Sequence, residues 1–212
     1  MTISIGKVPD AAVKMAANAL VERAASASFT LPKLAAAALG SLLLAFPHRV
    51  AHLPLDAIRS YADLRDVTVD AGWRLLVHEQ RQLDAAGKDR GEESDVFVPI
   101  ASVTAAEVGD GSFQLGEFNE GPFVEGTEIA VRHAEKLQVV RNGRFEAVLL
   151  VAPAVHVIAL WLQDRNGDAD ILMPIPPSDA ALAPLRPITP RAFLEILHSL
   201  AERVRRGEPR LA

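Results

Sequence analysis

The stretch LQVVRNGRFEAVLLVAPAVHVIALWLQDRNGDADILMPI, residues 137–175, carries the sharpest structural signals in the chain. Asn142-Gly143 and Asn166-Gly167 each sit between apolar runs. Asn-Gly suits a type I′ turn because both residues tolerate positive φ, so it marks a β-hairpin. Two such hairpins in succession predict an antiparallel meander of four strands. Val148–Val151 is apolar throughout, which predicts a central strand covered on both faces, with helices from the N-terminal half as the cover. His156 lies in the run AVHVIALWL and is expected inside a strand, facing with Ile158, Leu160 and Leu162.

Toward the C-terminus, Pro174, Pro176, Pro177, Pro184, Pro187 and Pro190 exclude a sheet interior and predict an extended surface segment. Thr189 then caps a helix with Pro190 in its first turn. Phe193, Leu194, Leu197, Leu200, Ala201 and Val204 form its apolar stripe, and Gly207 stops it.

Toward the N-terminus the period is helical. Asp10 is the expected cap of a helix with Ala12, Met15, Ala16, Ala19 and Leu20 on one face. Leu34–Phe46, LAAAALGSLLLAF, reads as a helix apolar almost all round. Leu55–Arg65 predicts another, and Trp73, Leu76, Val77, Gln80 and Leu83 predict a fourth, capped by Asp70 and ended by Gly87, with a break at 66–69. Residues 87–95 form a charged, Gly-containing linker. The expected fold is therefore α+β: a helical part at 1–86, and a part at 96–212 built on a mostly antiparallel sheet and closed by a C-terminal helix. The two parts can equally be one domain.

Composition limits function. Half of the 212 residues are apolar, which excludes wholesale disorder. The 22 basic and 27 acidic residues leave a net charge of −5, against nucleic-acid binding. There is no cysteine, so thiolate metal sites, disulfides and a cysteine nucleophile are excluded. The N-terminal segment lacks a signal-peptide pattern, and the expected location is cytoplasmic. Leu34–Phe46 is too short to span a bilayer, which takes about 20 residues; docking of 34–46 on a membrane surface is the remaining membrane reading.

No catalytic motif stands out, and no cofactor is expected. Asp164, Asn166, Asp168 and Asp170 place four oxygen side chains close together, a partial resemblance to a calcium loop without its order of ligands. His48 and His52 share the i, i+4 spacing of a helical metal pair, but flanking prolines leave little room for the helix. His156 is a candidate general base with Glu146 as its carboxylate. Phe113, Phe118 and Phe123 recur every five residues in a Gly-rich acidic stretch, either as loop anchors or as a partner-binding patch beside Pro174, Pro176 and Pro177. The leading expectation is a non-enzymatic interaction or assembly protein that meets a protein partner or a second copy of itself. The alternatives are a small-molecule-binding or hydrolytic domain with a cavity between sheet and helices, and a peripheral membrane protein docking through 34–46.

Overall fold

The apolar run at 34–46 does not form one helix. The computed structural model describes residues 3–26, 30–60, 63–82, 95–167 and 169–207. In it, Pro32–Ala36 forms a short helix and Leu39–Ser41 a single 3₁₀ turn. From Leu42 the chain is a strand that runs to His52. Leu and Ala favour a helix intrinsically, but that preference is worth only tenths of a kcal/mol per residue. Pairing of this strand on both sides outweighs it.

The same correction applies to the helix expected through Trp73 and Leu83. Val69–Gln82 is a 14-residue strand. Trp73, Leu75 and Val77 enter clusters on one face, while Leu76 and His78 are buried on the other. With both faces covered, the alternation of apolar and polar residues that marks a half-exposed strand is lost. Gly87 and most of the expected linker lie outside the described residues. The break at 66–69 falls where a short helix ends, with Thr68 extended as its C-cap.

In chain order the elements are β1 (Ile3–Ile5), α1 (Asp10–Ala25), α2 (Pro32–Ala36), β2 (Leu42–His52), α3 (Leu55–Ser60), α4 (Leu64–Val67), β3 (Val69–Gln82), β4 (Asp95–Glu107), β5 (Phe113–Asn119), α5 (Pro122–Ala134), α6 (Gln138–Asn142), β6 (Phe145–Ala152), β7 (Val157–Asp164), β8 (Ile171–Pro174) and α7 (Pro190–Arg205). The fold is α+β, with one mostly antiparallel sheet of eight strands. Its order is β5-β4-β3-β2-β6-β7-β8, and β1 also pairs with β6. The parallel pairs are β1 with β6 and β2 with β6, at successive stretches of β6.

Of the two expected Asn-Gly hairpins, one forms. Asn166-Gly167 lies in the connection between β7 and β8, and Gly167 alone of the pair takes positive φ, +91°. Asn142 ends α6, and Gly143 is extended at φ −107°, so no hairpin turn forms there. Val140 is buried beside Phe145 in the core, which makes the LQVV run a helix rather than a strand. The strand β6 pairs instead with β7, through a 3₁₀ turn at Pro153–Val155.

Helices cover both faces of the sheet. Ala16 and Leu20 of α1 pack with Leu34, Leu75, Val77 and Val103. On the same face, Phe193, Leu194 and Leu197 of α7 pack on Val148, Leu150 and Trp161. On the opposite face, Ala130 and Ala134 of α5 pack with Val50, Leu149, Leu160 and Met173. As expected, β6 is covered on both sides, but by α5 and α7 rather than by helices of the N-terminal half. The two long helices legible in the sequence, α1 and α7, form as expected. Pro9 rather than Asp10 occupies the cap position of α1, and the Thr189 hydroxyl accepts from the Ala192 amide at the start of α7.

Two glycines set the spacing of the layers. Gly72 has φ +98°, and a Cβ there would collide with the carbonyl oxygen of Ala105. Gly126 lets α5 touch the Pro-rich segment: its Cβ would lie 2.6 Å from the Pro176 oxygen and 2.7 Å from the Ile175 side chain. No described helix is long and apolar enough to cross a membrane. Gly72→Ala and Gly126→Ala should each lower the unfolding free energy by about 2 kcal/mol or more, through strain and overpacking. Gly40→Ala, where a Cβ meets nothing within 4 Å, should leave it nearly unchanged. Urea denaturation of the three variants checks this.

Candidate functional site

The polar side chains of interest lie on the face of the sheet that carries α5. The irregularity that builds the site is a bulge in β2. Ala45 pairs with Leu76, but His48 pairs with Arg74, so two residues of β2 sit opposite one of β3. Phe46 takes φ +46° there. The bulge turns the Phe46 carbonyl toward the His48 ring, whose Nδ1 lies 2.7 Å from it. A carbonyl can only accept, so Nδ1 carries the proton and donates, leaving Nε2 as the lone-pair nitrogen.

Strand register then lines up a polar row. His48 of β2 is opposite Arg74 of β3, and Arg74 is opposite Thr104 of β4. Arg74 Nε donates to Thr104 Oγ1 at 3.4 Å, and its Nη2 lies 3.6 Å from Glu117 Oε1 on β5. His52, further along β2, is exposed and close enough to feel both Arg74 and Glu117. Partial shielding from solvent, and then the positive charge of Arg74, hold His52 below the ordinary histidine value. Burial and the same charge push His48 down to about 4, so its ring is neutral. Burial also lowers Arg74 itself.

Deeper under α5 lies a second group. His78 is buried with Nε2 3.0 Å from Glu128 Oε2, and Arg132 closes on the other Glu128 oxygen from one turn further along α5. The Phe46 ring meets His78 edge-on, with centroids 5.6 Å apart. Thr127, beside Glu128, donates its hydroxyl to the Phe123 carbonyl at 2.7 Å, so that hydroxyl proton is held within its own helix. His48, Thr127 and Glu128 line a nearly closed space of about 10 Å³ together with Phe46, Leu76, Val131 and Leu149. His48 Nε2 is buried and has no hydrogen-bond partner among the described residues.

The residues singled out in the sequence are distributed differently. His156 is not inside a strand. It ends the turn between β6 and β7 in a left-handed conformation, exposed, next to the Ala152–Val157 pair. Glu146 pairs with Gln163 at the opposite end of the same two strands, roughly 20 Å away at about 3.3 Å per residue. The two do not form an acid–base pair, and Glu146 instead faces Arg49 at 3.8 Å.

The acidic turn is a structural clasp. Asp170 accepts from Arg65 Nε at 3.0 Å, from Trp161 Nε1 at 2.9 Å and from the Asp164 amide at 2.8 Å, with Arg65 Nη2 as a further donor. The Asp164 carboxylate accepts from the Asn166 amide at 3.2 Å. Asp168 lies outside the described residues, among which no group of three or more acids and histidines is arranged to hold a metal.

Phe113, Phe118 and Phe123 are partly buried, each against a different cluster. Arg23 lies over the Phe118 ring at 5.2 Å. Pro174 is buried in β8, Pro176 is half-buried and Pro177 exposed. The membrane-docking segment loses its helix: Leu34 is fully buried, Leu42 and Leu44 are partly buried, and Leu39 and Leu43 are the exposed leucines. His48 and His52 share a sheet face rather than a helix face. Arg74, Thr104 and Glu128 carry no signal of their own in the sequence, because register across four strands assembles them. No protein-family model, no curated protein and no solved structure matches this chain.

Two outcomes follow from this geometry. Glu128→Leu leaves His78 buried without its partner and should cost about 3 kcal/mol, whereas adding His78→Leu should recover part of that loss. A double-mutant cycle by chemical denaturation measures it. His48 has its folded-state value below its unfolded one, so at acid pH the unfolded chain binds a proton that the folded chain refuses. Its contribution is complete above pH 6.5, the unfolded value, and is lost as pH falls toward 4. Between those values stability should drop by about 3 kcal/mol on this account. His48→Leu should flatten the upper part of that profile, above the carboxylate range, which denaturation at a series of pH values reads directly.

Proposed function

We propose that this protein is a non-enzymatic interaction or assembly protein, and that it joins a second copy of itself along the outer edge of β5. The observation that carries the proposal is the unequal treatment of the two sheet edges. At one end, β8 has four residues, and its outer side is bridged: Leu172 and Ile188 exchange amide-to-carbonyl bonds of 2.9 Å in both directions. At the other end, β5 has seven residues and no strand on its outer side among the described residues. It also carries no lysine and no proline, the residues that commonly blunt an edge.

An open strand presents a row of main-chain donors and acceptors that another strand satisfies. Two copies can do this reciprocally about a two-fold axis, the commonest form of self-association. The acids along this edge do not prevent it. Glu120 is committed to the amides of Lys33 and Leu34 at the start of α2, and Glu117 faces Arg74. Phe113 and Phe118, candidate partner-binding residues, then act indirectly by anchoring β5 to the sheet face beneath α1.

Light scattering from micromolar to millimolar concentration should show the mass rising from 22.8 kDa toward twice that value. Hydrogen exchange of residues 113–119 should slow in parallel. A constant monomer mass overturns the proposal, and a dimer whose β5 amides exchange unchanged overturns the choice of edge.

A further inference from the structure

Arg74 carries a charge that the surrounding protein does not match. Its side chain is 13% exposed, and burial disfavours its charged form. A guanidinium offers five N–H donors. Among the described residues it makes one hydrogen bond, a long one to Thr104 at 3.4 Å. The nearest carboxylate, on Glu117, stands at 3.6 Å, beyond a good hydrogen bond, and its side chain is 61% exposed. The contrast with Arg65 is direct. Arg65 is more exposed, at 39%, yet it grips Asp170 through both Nε and Nη2. A buried guanidinium left this loosely held is unusual, because burying a charge costs free energy unless it is paired and hydrogen-bonded.

We propose that Arg74 is the anchor of a binding site for a carboxylate ligand, with Glu117 as a loosely held internal stand-in that the ligand displaces. The planar fork of a guanidinium matches the two oxygens of a carboxylate. Thr104 holds Nε and so orients the fork, leaving the Nη atoms for the ligand. His52 lies on the same face of the sheet and feels the charges of both Arg74 and Glu117, so its ring reports on a change of charge there. The charge balance favours a monoanion. One fixed cation beside one acidic side chain suits a single negative charge and disfavours a phosphate dianion. Glu117, the exposed member of the pair, can swing out because the incoming carboxylate takes its place and Arg74 is never left unpaired.

The experiment is an acetate titration of the full chain at neutral pH, with chloride exchanged for acetate so that ionic strength stays constant. The readout is the NMR signal of the Arg74 Nε–H group and of the His52 ring. Acetate should shift both saturably, and inorganic phosphate should do so less. Glu117→Gln, which removes the competing charge, should tighten acetate binding several-fold. Arg74→Gln should abolish the His52 response. If Arg74→Gln fails to fold, the Glu117→Gln comparison decides alone. Absence of a saturable shift, an equal response to phosphate, or weaker acetate binding by Glu117→Gln overturns the site. Mass and β5 exchange do not enter this readout, so it stands or falls apart from self-association.

Discussion

The parallel pairing of β2 with β6 holds the molecule together. Arg49–His52 lie against Val148–Val151, and this short ladder joins two antiparallel blocks that are otherwise local in sequence. One block is β2-β3-β4-β5, and the other is β6-β7-β8. Parallel neighbours need a long crossover, and here the chain between β2 and β6 builds three strands and the helices α3 to α6 before it returns. β1 reinforces the joint by pairing with the first part of β6, at Phe145–Ala147. Because β6 is flanked on both sides and buried on both faces, α5 and α7 can each find an apolar floor on the same strand.

That arrangement also explains where polar chemistry collects. The β6-β7-β8 block is sealed by α7 on one face and α5 on the other. Over the β2-β3-β4-β5 block, α5 brings Glu128 to His78, while the row through Arg74 keeps limited solvent access. The bulge at Phe46 places His48 under the helix, with Arg74 next to it. A regular β2 would shift its own register by one residue and send the His48 side chain to the other face. Site and fold thus share one irregularity.

Elements whose signals are local were legible. α1 and α7 have one apolar face, and for α7 the Thr189 cap, Pro190 and Gly207 mark both ends. The Asn166-Gly167 turn and the burial of Val148, Leu149 and Leu150 were legible for the same reason. The two strands read as helices failed for one cause. Leu42–His52 and Val69–Gln82 are rich in residues that suit a helix when isolated, and both are strands with little of the alternation a half-exposed sheet imposes. Asn142-Gly143 failed differently: Val140 and Phe145 enter the same core cluster, and that packing selects helix α6 over a hairpin. Of the site, His48 and His52 were visible as residues, while Arg74, Thr104, Glu117 and Glu128 were not distinguishable from other polar positions.

By itself the amino-acid sequence determined an α+β chain with a real apolar core, an antiparallel β-rich second half, a helical start and finish, and no cysteine chemistry. Composition, caps, turns and period suffice for these because they act between neighbours along the chain. The tertiary structure decided that β2 and β3 are strands, that one sheet unites both halves, and that His48, Arg74, Thr104 and Glu117 form a row. Strand pairing is a long-range main-chain interaction whose strength does not depend on side-chain pattern alone. Its register is set by bulges and by what packs above, which no stretch of sequence contains.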